Sequence, residues 1–361
     1  MNYDLNLLDD YVAQGLLRKA EDEDLVQYNY SEKTNNEGLW DEVTMFNRGN
    51  VYEKKTGLLI AKAMPKFMNL SQLPWYKQQE LVKKPKFNLT EKMDGCLGII
   101  YTYKGELRCN SRGSFDNYVT DAIKRLIPKY TMVKTMANHN TLNVEVICPE
   151  TKIICDYADT QELYLITAFG CQSNFVEHNY DALITLSQIM RMPLVKERHM
   201  SWQELLKWQK EADWTTEGFV VRFPDNERVK IKSEDYLRIA AFKQHLNKRS
   251  LWKQWRHGYK QRDKEDRLKQ FMDSCPDELY ATAQQLYKEL LLDMEYHKQQ
   301  VYNLWKTLKD KSKKELGLYF KENPNKYQAA IFSLAIGREI EPSLIDFIEP
   351  NEEFNGEDYA E

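Results

Sequence analysis

No uninterrupted apolar run in these 361 residues approaches the ~20 residues that a bilayer-spanning helix needs, and no membrane association is expected. No Cys-x-x-Cys pair occurs among the six cysteines (96, 109, 148, 155, 171 and 275), and the six histidines show no zinc-ligand spacing. A zinc module and a disulfide framework are thereby disfavoured. The cysteines mostly lie inside apolar runs and read as reduced packing residues of a cytoplasmic protein. Met1-Asn2-Tyr3-Asp4 leads into acidic sequence, so no secretory signal is expected. Internal repeats are absent as well. So is any large net charge: −4 overall argues against a protein that coats nucleic acid indiscriminately.

What is present is an ordinary globular composition, 42% hydrophobic and 29% charged, in a chain long enough for two domains and a sizeable core. The near-neutral average hides a pattern. Residues 1–50 hold eleven Asp or Glu against four Lys or Arg, whereas 241–270 hold ten Lys or Arg against three acids. The last two dozen residues are acidic again. The basic block carries Trp252, Trp255, Arg256 and Lys260. It is a candidate for binding nucleic-acid phosphates and stacking bases, or equally a packed helical segment.

Apolar spacing predicts a helix over 4–20 and polar composition a loop over 30–38. A first β-hairpin is expected from 43–53 and 58–63 around a Lys55-Thr56-Gly57 turn. A second is expected from 96–111, turning at Lys104-Gly105. A helix over 115–127, strands at 142–147 and 163–169, a helix over 201–211 and a hairpin over 217–232 follow. Beyond Tyr236 the texture is helical: Leu286, Leu290, Met294, Val301, Leu304, Trp305 and Leu308 mark one face of a long helix. The boundary falls near 240–250, between an α+β portion and an all-helical one.

The chemistry centres on Glu91-Lys92-Met93-Asp94-Gly95, placed where a loop enters the apolar strand Leu97–Tyr101. Alone, Lys-x-Asp-Gly is better explained by a surface turn. The returning strand of that hairpin, however, delivers Ser111-Arg112-Gly113-Ser114 towards the lysine. In Lys230-Ile231-Lys232 two ammonium groups share one face of a strand, an arrangement suited to an anion such as phosphate or to an exposed edge. Glu145 and Glu217 sit in apolar strand contexts, where a carboxylate needs an ion-pair partner or a ligand.

The ordered set Lys92-Met93-Asp94-Gly95, Ser111-Arg112-Gly113-Ser114, Asn143-Val144-Glu145, Glu217-Gly218 and Lys230-Ile231-Lys232 resembles the covalent nucleotidyltransferases. Asn47-Arg48-Gly49 and Lys66-Phe67-Met68-Asn69-Leu70 narrow the likeness to the RNA ligase 1 family of T-even-like bacteriophages, over about 40–240. The resemblance implies an α+β nucleotidyltransferase (adenylyltransferase) domain of antiparallel sheets with flanking helices, 1–242. An all-helical C-terminal domain without an OB fold, 243–361, would contribute RNA specificity. It implies an ATP-dependent RNA ligase acting through AMP on Lys92, with its amine made neutral by surrounding cations. The AMP would pass to an RNA 5′-phosphate, and a 3′-hydroxyl would then displace it. Arg48, Lys66 and Arg112 would hold the outer phosphates and Lys230 and Lys232 the α-phosphate. Glu145 would contact the ribose and Glu91 would border the adenine. Asp94, Glu145 and Glu217 would serve Mg²⁺ (or Mn²⁺), largely through water. Tyr236 would pack near the nucleotide.

The expected substrates are single-stranded RNA or broken tRNA ends, with a polynucleotide kinase-phosphatase as functional partner and a monomeric ligase in the host cytoplasm. Arg112 stands where relatives often carry lysine, which alters clamp geometry. Asp277-Glu278 would match an acidic metal pair, or simply a helix start. Gln261-Arg262-Asp263-Lys264 mimics a capping-enzyme signature but follows Lys232 too closely for a barrel to intervene. A DNA ligase, an mRNA capping guanylyltransferase and a non-catalytic RNA-binding protein on the same fold are the competing readings.

Overall fold

The structure, a computed structural model, describes residues 4–261 and 267–350. It forms two compact units that divide between Leu237 and Arg238. The first is α+β and built on three antiparallel sheets; every described element after Lys232 is helical. Among the described residues no helix is long and apolar enough to cross a membrane.

The chain enters through a four-stranded sheet of β1 (Leu17–Asp22), β2 (Leu25–Tyr30), β3 (Arg48–Glu53) and β4 (Leu59–Ala61), in that spatial order. The helix expected over 4–20 ends at Ala13, and Leu17 instead opens a strand opposite Tyr30. Leu16-Leu17 fits either period, and pairing with the apolar run Leu25–Tyr30 decides it. The stretch expected as a loop over 30–38 contains the helix Glu32–Glu37. It has no apolar stripe but is started by Ser31, whose Oγ accepts the Thr34 N–H at 3.1 Å. Val43–Phe46, expected as strand, is helical because Asp41 and Thr44 close a capping box ahead of it.

Two further sheets carry the rest of this unit. The strands β5 (Asn88–Lys92), β6 (Cys96–Tyr103), β7 (Glu106–Ser111), β8 (Asn140–Ile147), β9 (Glu162–Gly170), β10 (Val176–Glu177), β11 (Glu197–Arg198), β12 (Gly218–Arg222) and β13 (Arg228–Lys232) follow in sequence. They sort into a five-stranded sheet, β10-β9-β8-β6-β7, and a four-stranded one, β11-β5-β12-β13. β5 and β6 therefore belong to different sheets, and the chain crosses between them at Met93-Asp94-Gly95.

The five-stranded sheet buries one face under the helix Tyr118–Leu126. Asn117 caps this helix, and Val119, Ala122, Ile123 and Leu126 pack on Ile100, Val144, Val146 and Leu163. Truncating a side chain such as Ile123 there costs about 2–5 kcal/mol. The other sheet packs Leu89, Phe219, Val221, Val229 and Ile231 against Trp202 and Leu205 of the helix Trp202–Glu211. In the second unit Leu290, Met294, Val301 and Leu308 of the helix Asp277–Leu308 form the predicted stripe. They pack with Leu251, Trp252, Leu316 and Phe320.

Candidate active site

The sheet crossover positions the lysine motif. Lys92 is the last residue of β5, and Gly218 of β12 stands opposite it; Gly218 also stands opposite Lys232 of β13. A lysine on each side of a residue without a side chain leaves space for the carboxylate one position earlier. Glu217 fills it: Oε2 lies 2.9 Å from Lys92 Nζ and Oε1 lies 2.8 Å from Lys232 Nζ. The Glu217 side chain is 1% exposed, against 10% for Lys92 and 8% for Lys232. One anion is thus shared by two ammonium groups in a largely dry setting, where charge interactions are stronger than in water. Any Cβ at Gly218 would lie 2.1 Å from the Ile231 carbonyl, so this strand contact admits only glycine.

Asp94 fastens the crossover. Its Oδ2 accepts the N–H groups of Ile154 and Cys155, each at 2.7 Å, and its Oδ1 accepts the Tyr236 hydroxyl at 2.6 Å. Its own N–H donates to the Tyr157 hydroxyl at 2.8 Å. The carboxylate expected to serve a metal is therefore buried and engaged by three protein donors. Tyr236, expected near the nucleotide, lies beneath Lys232, with the ammonium 5.1 Å from its ring centroid. Glu145 of β8 is buried, and its Oε1 accepts the Gly95 N–H at 3.2 Å. Among the described residues no three carboxylate, histidine or cysteine side chains converge as a metal cage. The residues present suit a cation bound mainly through ligand oxygens and water, with Glu145 or Glu217 alongside.

The remaining cations form a second cluster. Tyr30, at the end of β2, receives Arg112 Nη1 on its hydroxyl at 2.7 Å. Lys66 Nζ sits 5.0 Å from the Tyr30 ring centroid and the same distance from that of Trp40. Arg48, at the start of β3, is buried, as are Lys66 and Lys230. Lys230 Nζ lies 5.9 Å from the Phe67 ring centroid, and its N–H donates to the Met68 carbonyl. This bond ties the Lys66–Asn69 segment to β13. Gln27 steadies Arg112: its Nε2 donates to the carbonyls of Ser111 at 2.7 Å and Arg112 at 3.2 Å. Gln27, Tyr30 and Tyr157 are absent from the motifs. Of these only Gln27, a polar residue inside the apolar run Leu25–Tyr30, stands out in the sequence, and its partner does not.

Other expected residues engage protein partners. Glu91 turns to Arg198, accepting its Nε at 2.8 Å. Trp252 is buried in the helical unit and donates its indole N–H to the Ile345 carbonyl at 2.7 Å, so it cannot stack a base. Trp255 packs against Tyr259 and Tyr287. Arg256 pairs with Asp346 at 2.6 Å. These contacts fit the packed-segment alternative for the two tryptophans. The side chains of Lys260, Gln261, Asp277 and Glu278, and all of Arg262-Asp263-Lys264, lie outside the described residues.

Comparison with known proteins bears on this geometry. A family model described as RNA ligase matches residues 47–244. A Thermovibrio ammonificans protein, provisionally named an RNA ligase, is 27% identical over 203 residues, covering 53% of this chain and 52% of that protein. The chain therefore spans about half the length of the curated relative it matches. A structure from Aquifex aeolicus, provisionally named an ATP-dependent DNA ligase, superposes with a TM-score of 0.50 at 18% identity, covering 82% of this chain and 81% of the other. An archaeal ATP-dependent RNA ligase gives 0.51 at 12% identity, covering 80% and 79%. At these identities the two structures speak for a shared fold.

Proposed function

The chain belongs to the RNA ligase family of the T-even type, and from that membership we propose that it joins RNA 5′-phosphate and 3′-hydroxyl ends with ATP, using Lys92 as the nucleophile. The observation that carries this reading is the shared carboxylate. Lys92 Nζ is 2.9 Å from Glu217, at a sheet crossover flanked by Lys232.

In the first step the lone pair of neutral Lys92 Nζ attacks the α-phosphorus of ATP. The bond to the bridging oxygen breaks, pyrophosphate leaves with the electron pair, and Glu217 Oε2, 2.9 Å from Nζ, accepts the amine proton. Lys230 and Lys232 stabilise charge on the α-phosphoryl oxygens, while Arg48, Lys66 and Arg112 hold the departing pyrophosphate. An RNA 5′-phosphate oxygen then attacks the same phosphorus, the N–P bond breaks, and Lys92 recovers its proton. Finally a 3′-hydroxyl attacks the RNA phosphorus, a phosphodiester forms and AMP leaves. A divalent cation, Mg²⁺ or Mn²⁺, when bound near Glu145 and Glu217, would neutralise phosphate charge.

Glu145 is assigned to the ribose. Asp94 and Tyr236 act behind the site by holding the crossover. Broken tRNA, with ends prepared by a kinase-phosphatase, is the substrate class we favour. The test is incubation with α-labelled ATP and Mg²⁺, followed by denaturing electrophoresis and peptide mass spectrometry. AMP on Lys92, absent in Lys92→Ala, is expected. Circularisation of a 5′-phosphorylated single-stranded RNA should exceed sealing of a nicked DNA duplex. AMP on another side chain, or none, overturns the reading.

A further inference from the structure

Asn29 has no role in the chemistry above, yet its carboxamide is the most conspicuous unsatisfied group near the site. It is 3% exposed, and neither its Oδ1 nor its Nδ2 has a hydrogen-bond partner among the described residues. Buried amides are almost always paired, because leaving one unpaired forfeits its hydration without return. A chain keeps such a group where a ligand supplies the partner.

Its surroundings identify the ligand. On β2, Gln27 and Asn29 share a face by alternation, and Gln27 grips the carbonyls of Ser111 and Arg112. The next residue, Tyr30, receives the Arg112 guanidinium on its hydroxyl. Across the sheet Asn29 stands opposite Arg48, beyond a register shift at which β3 carries an extra residue, Gly49. Gly49 takes a φ of +102°, and a Cβ there would meet the Arg112 carbonyl at 2.9 Å. The bulge therefore sets Arg48 beside Asn29 while bringing β3 against the Arg112 segment. An uncharged amide paired across the sheet with Arg48, on the strand whose next residue receives Arg112, suits an oxyanion with several unshared oxygens.

We propose that Asn29 binds the polyphosphate end of the nucleotide. Its Nδ2 donates to a non-bridging phosphate oxygen of the pyrophosphate moiety, and its Oδ1 accepts from Arg48 once the phosphate fixes the guanidinium. This rests on the reading of the cationic cluster as a triphosphate site, and it adds a neutral, geometry-selecting contact to that cluster.

The test uses the full chain and two variants, Asn29→Leu, which is nearly isosteric, and Asn29→Asp, which adds a repelling charge. Inorganic tripolyphosphate binding, measured by calorimetry, is expected to weaken at least tenfold in Asn29→Leu and further in Asn29→Asp. KM for ATP in Lys92 labelling should rise by a similar factor. Sealing of RNA already carrying a 5′-AMP, a reaction without triphosphate, is the step expected to be spared. Thermal melting without nucleotide should not fall in Asn29→Leu, since no protein hydrogen bond is lost. Equal tripolyphosphate binding by wild type and Asn29→Leu, or a lowered melting point with unchanged KM, overturns the proposal. If wild type shows no Lys92 labelling, the ligase reading fails, while the tripolyphosphate measurement still decides the role of Asn29.

Discussion

Tyr236 donates its hydroxyl to Asp94 at 2.6 Å across 142 residues of sequence, joining the segment just after β13 to the crossover that carries Lys92. The bond ends on a buried carboxylate, the class of hydrogen bond worth about 1.5–3 kcal/mol. Tyr236→Phe keeps the ring beneath Lys232 and removes only this tether. The expected outcome is a stability loss of that size in chemical denaturation. Lys92 labelling should slow by about ten- to a hundredfold, since each 1.4 kcal/mol is a factor of ten. Labelling at the wild-type rate would mean that Asp94 is held without Tyr236.

The pairing of Lys92 and Lys232 on Glu217 makes a prediction of unequal costs. Glu217→Ala leaves two ammonium groups facing each other in a dry pocket and should cost about 3–5 kcal/mol. Lys92→Ala removes one of the two and keeps the Glu217–Lys232 pair, so it should cost clearly less. The double variant should recover about 1 kcal/mol or more relative to additivity. Urea unfolding of the three proteins checks this; simple additivity would show that the carboxylate is not shared.

These two relationships mark how far the sequence was legible. Glu217 and Lys232 could be placed from the apolar hairpin over 217–232, whereas Lys92 was picked out by motif order alone: expected on a loop entering Leu97–Tyr101, it instead ends β5, a short strand of the other sheet with little apolar alternation. Lys104-Gly105 likewise announced its turn. The donors that hold Asp94, the Ile154 and Cys155 N–H groups, carry no residue signature and were invisible. Tyr30 and Gln27 reach Arg112 across more than eighty residues, and no local pattern encodes such a contact. β1 was missed because its burial pattern is mostly solvent-facing, so only its pairing with β2 shows it to be a strand. Trp252 was ambiguous for the opposite reason: an aromatic in a basic run suits either stacking or burial, and only the tertiary packing shows it buried.

Glycine substitutions should separate a contact from a mere helix position. At Gly218 an added methyl meets the Ile231 carbonyl at 2.1 Å and Lys232 Cα at 2.8 Å, all backbone. Gly218→Ala must push β12 and β13 apart beside Glu217, costing at least the ~1–3 kcal/mol of ordinary overpacking and most Lys92 labelling. Gly258, within the helix Lys248–Gln261, has nothing within 4 Å of its added Cβ. Gly258→Ala should stabilise the protein by about 0.5–1 kcal/mol. Circular-dichroism melts of both variants read the contrast.

Burial holds the His178 imidazole below its ordinary value of 6.5, with the Glu177 carboxylate opposing weakly. Its Nε2 meets Asn140 Oδ1 at 2.7 Å. The folded chain therefore binds this proton less readily than the unfolded chain does. Stability from the neutral ring is fully present above about pH 6.5 and is lost as the pH falls from there through the lower folded value. His297 in the helical unit is shifted the same way by burial and by Lys326. Denaturation midpoints should be flat above pH 7 and decline below 6.5. His178→Gln should flatten the first unit's share, and adding His297→Gln should flatten the rest. A decline of unchanged slope in the double variant would place the responsible groups elsewhere.

Trp252 tests whether the basic block binds RNA through its aromatics. The indole is buried with Leu251, Leu290 and Ile345, and its N–H is spent on the Ile345 carbonyl. Arg256 lies over its ring at 5.4 Å while pairing with Asp346. Trp252→Ala should cost about 3–5 kcal/mol, as for other large core truncations. Trp252→Phe keeps much of the volume and should cost about 1–3 kcal/mol, chiefly from the stranded carbonyl. Neither should change the salt dependence of single-stranded RNA binding under conditions where both variants are folded, because that slope counts phosphate contacts. Fluorescence anisotropy across a salt series, run beside thermal melts, distinguishes the cases. A fall in RNA affinity for Trp252→Phe with an unchanged melt would return this side chain to the RNA surface.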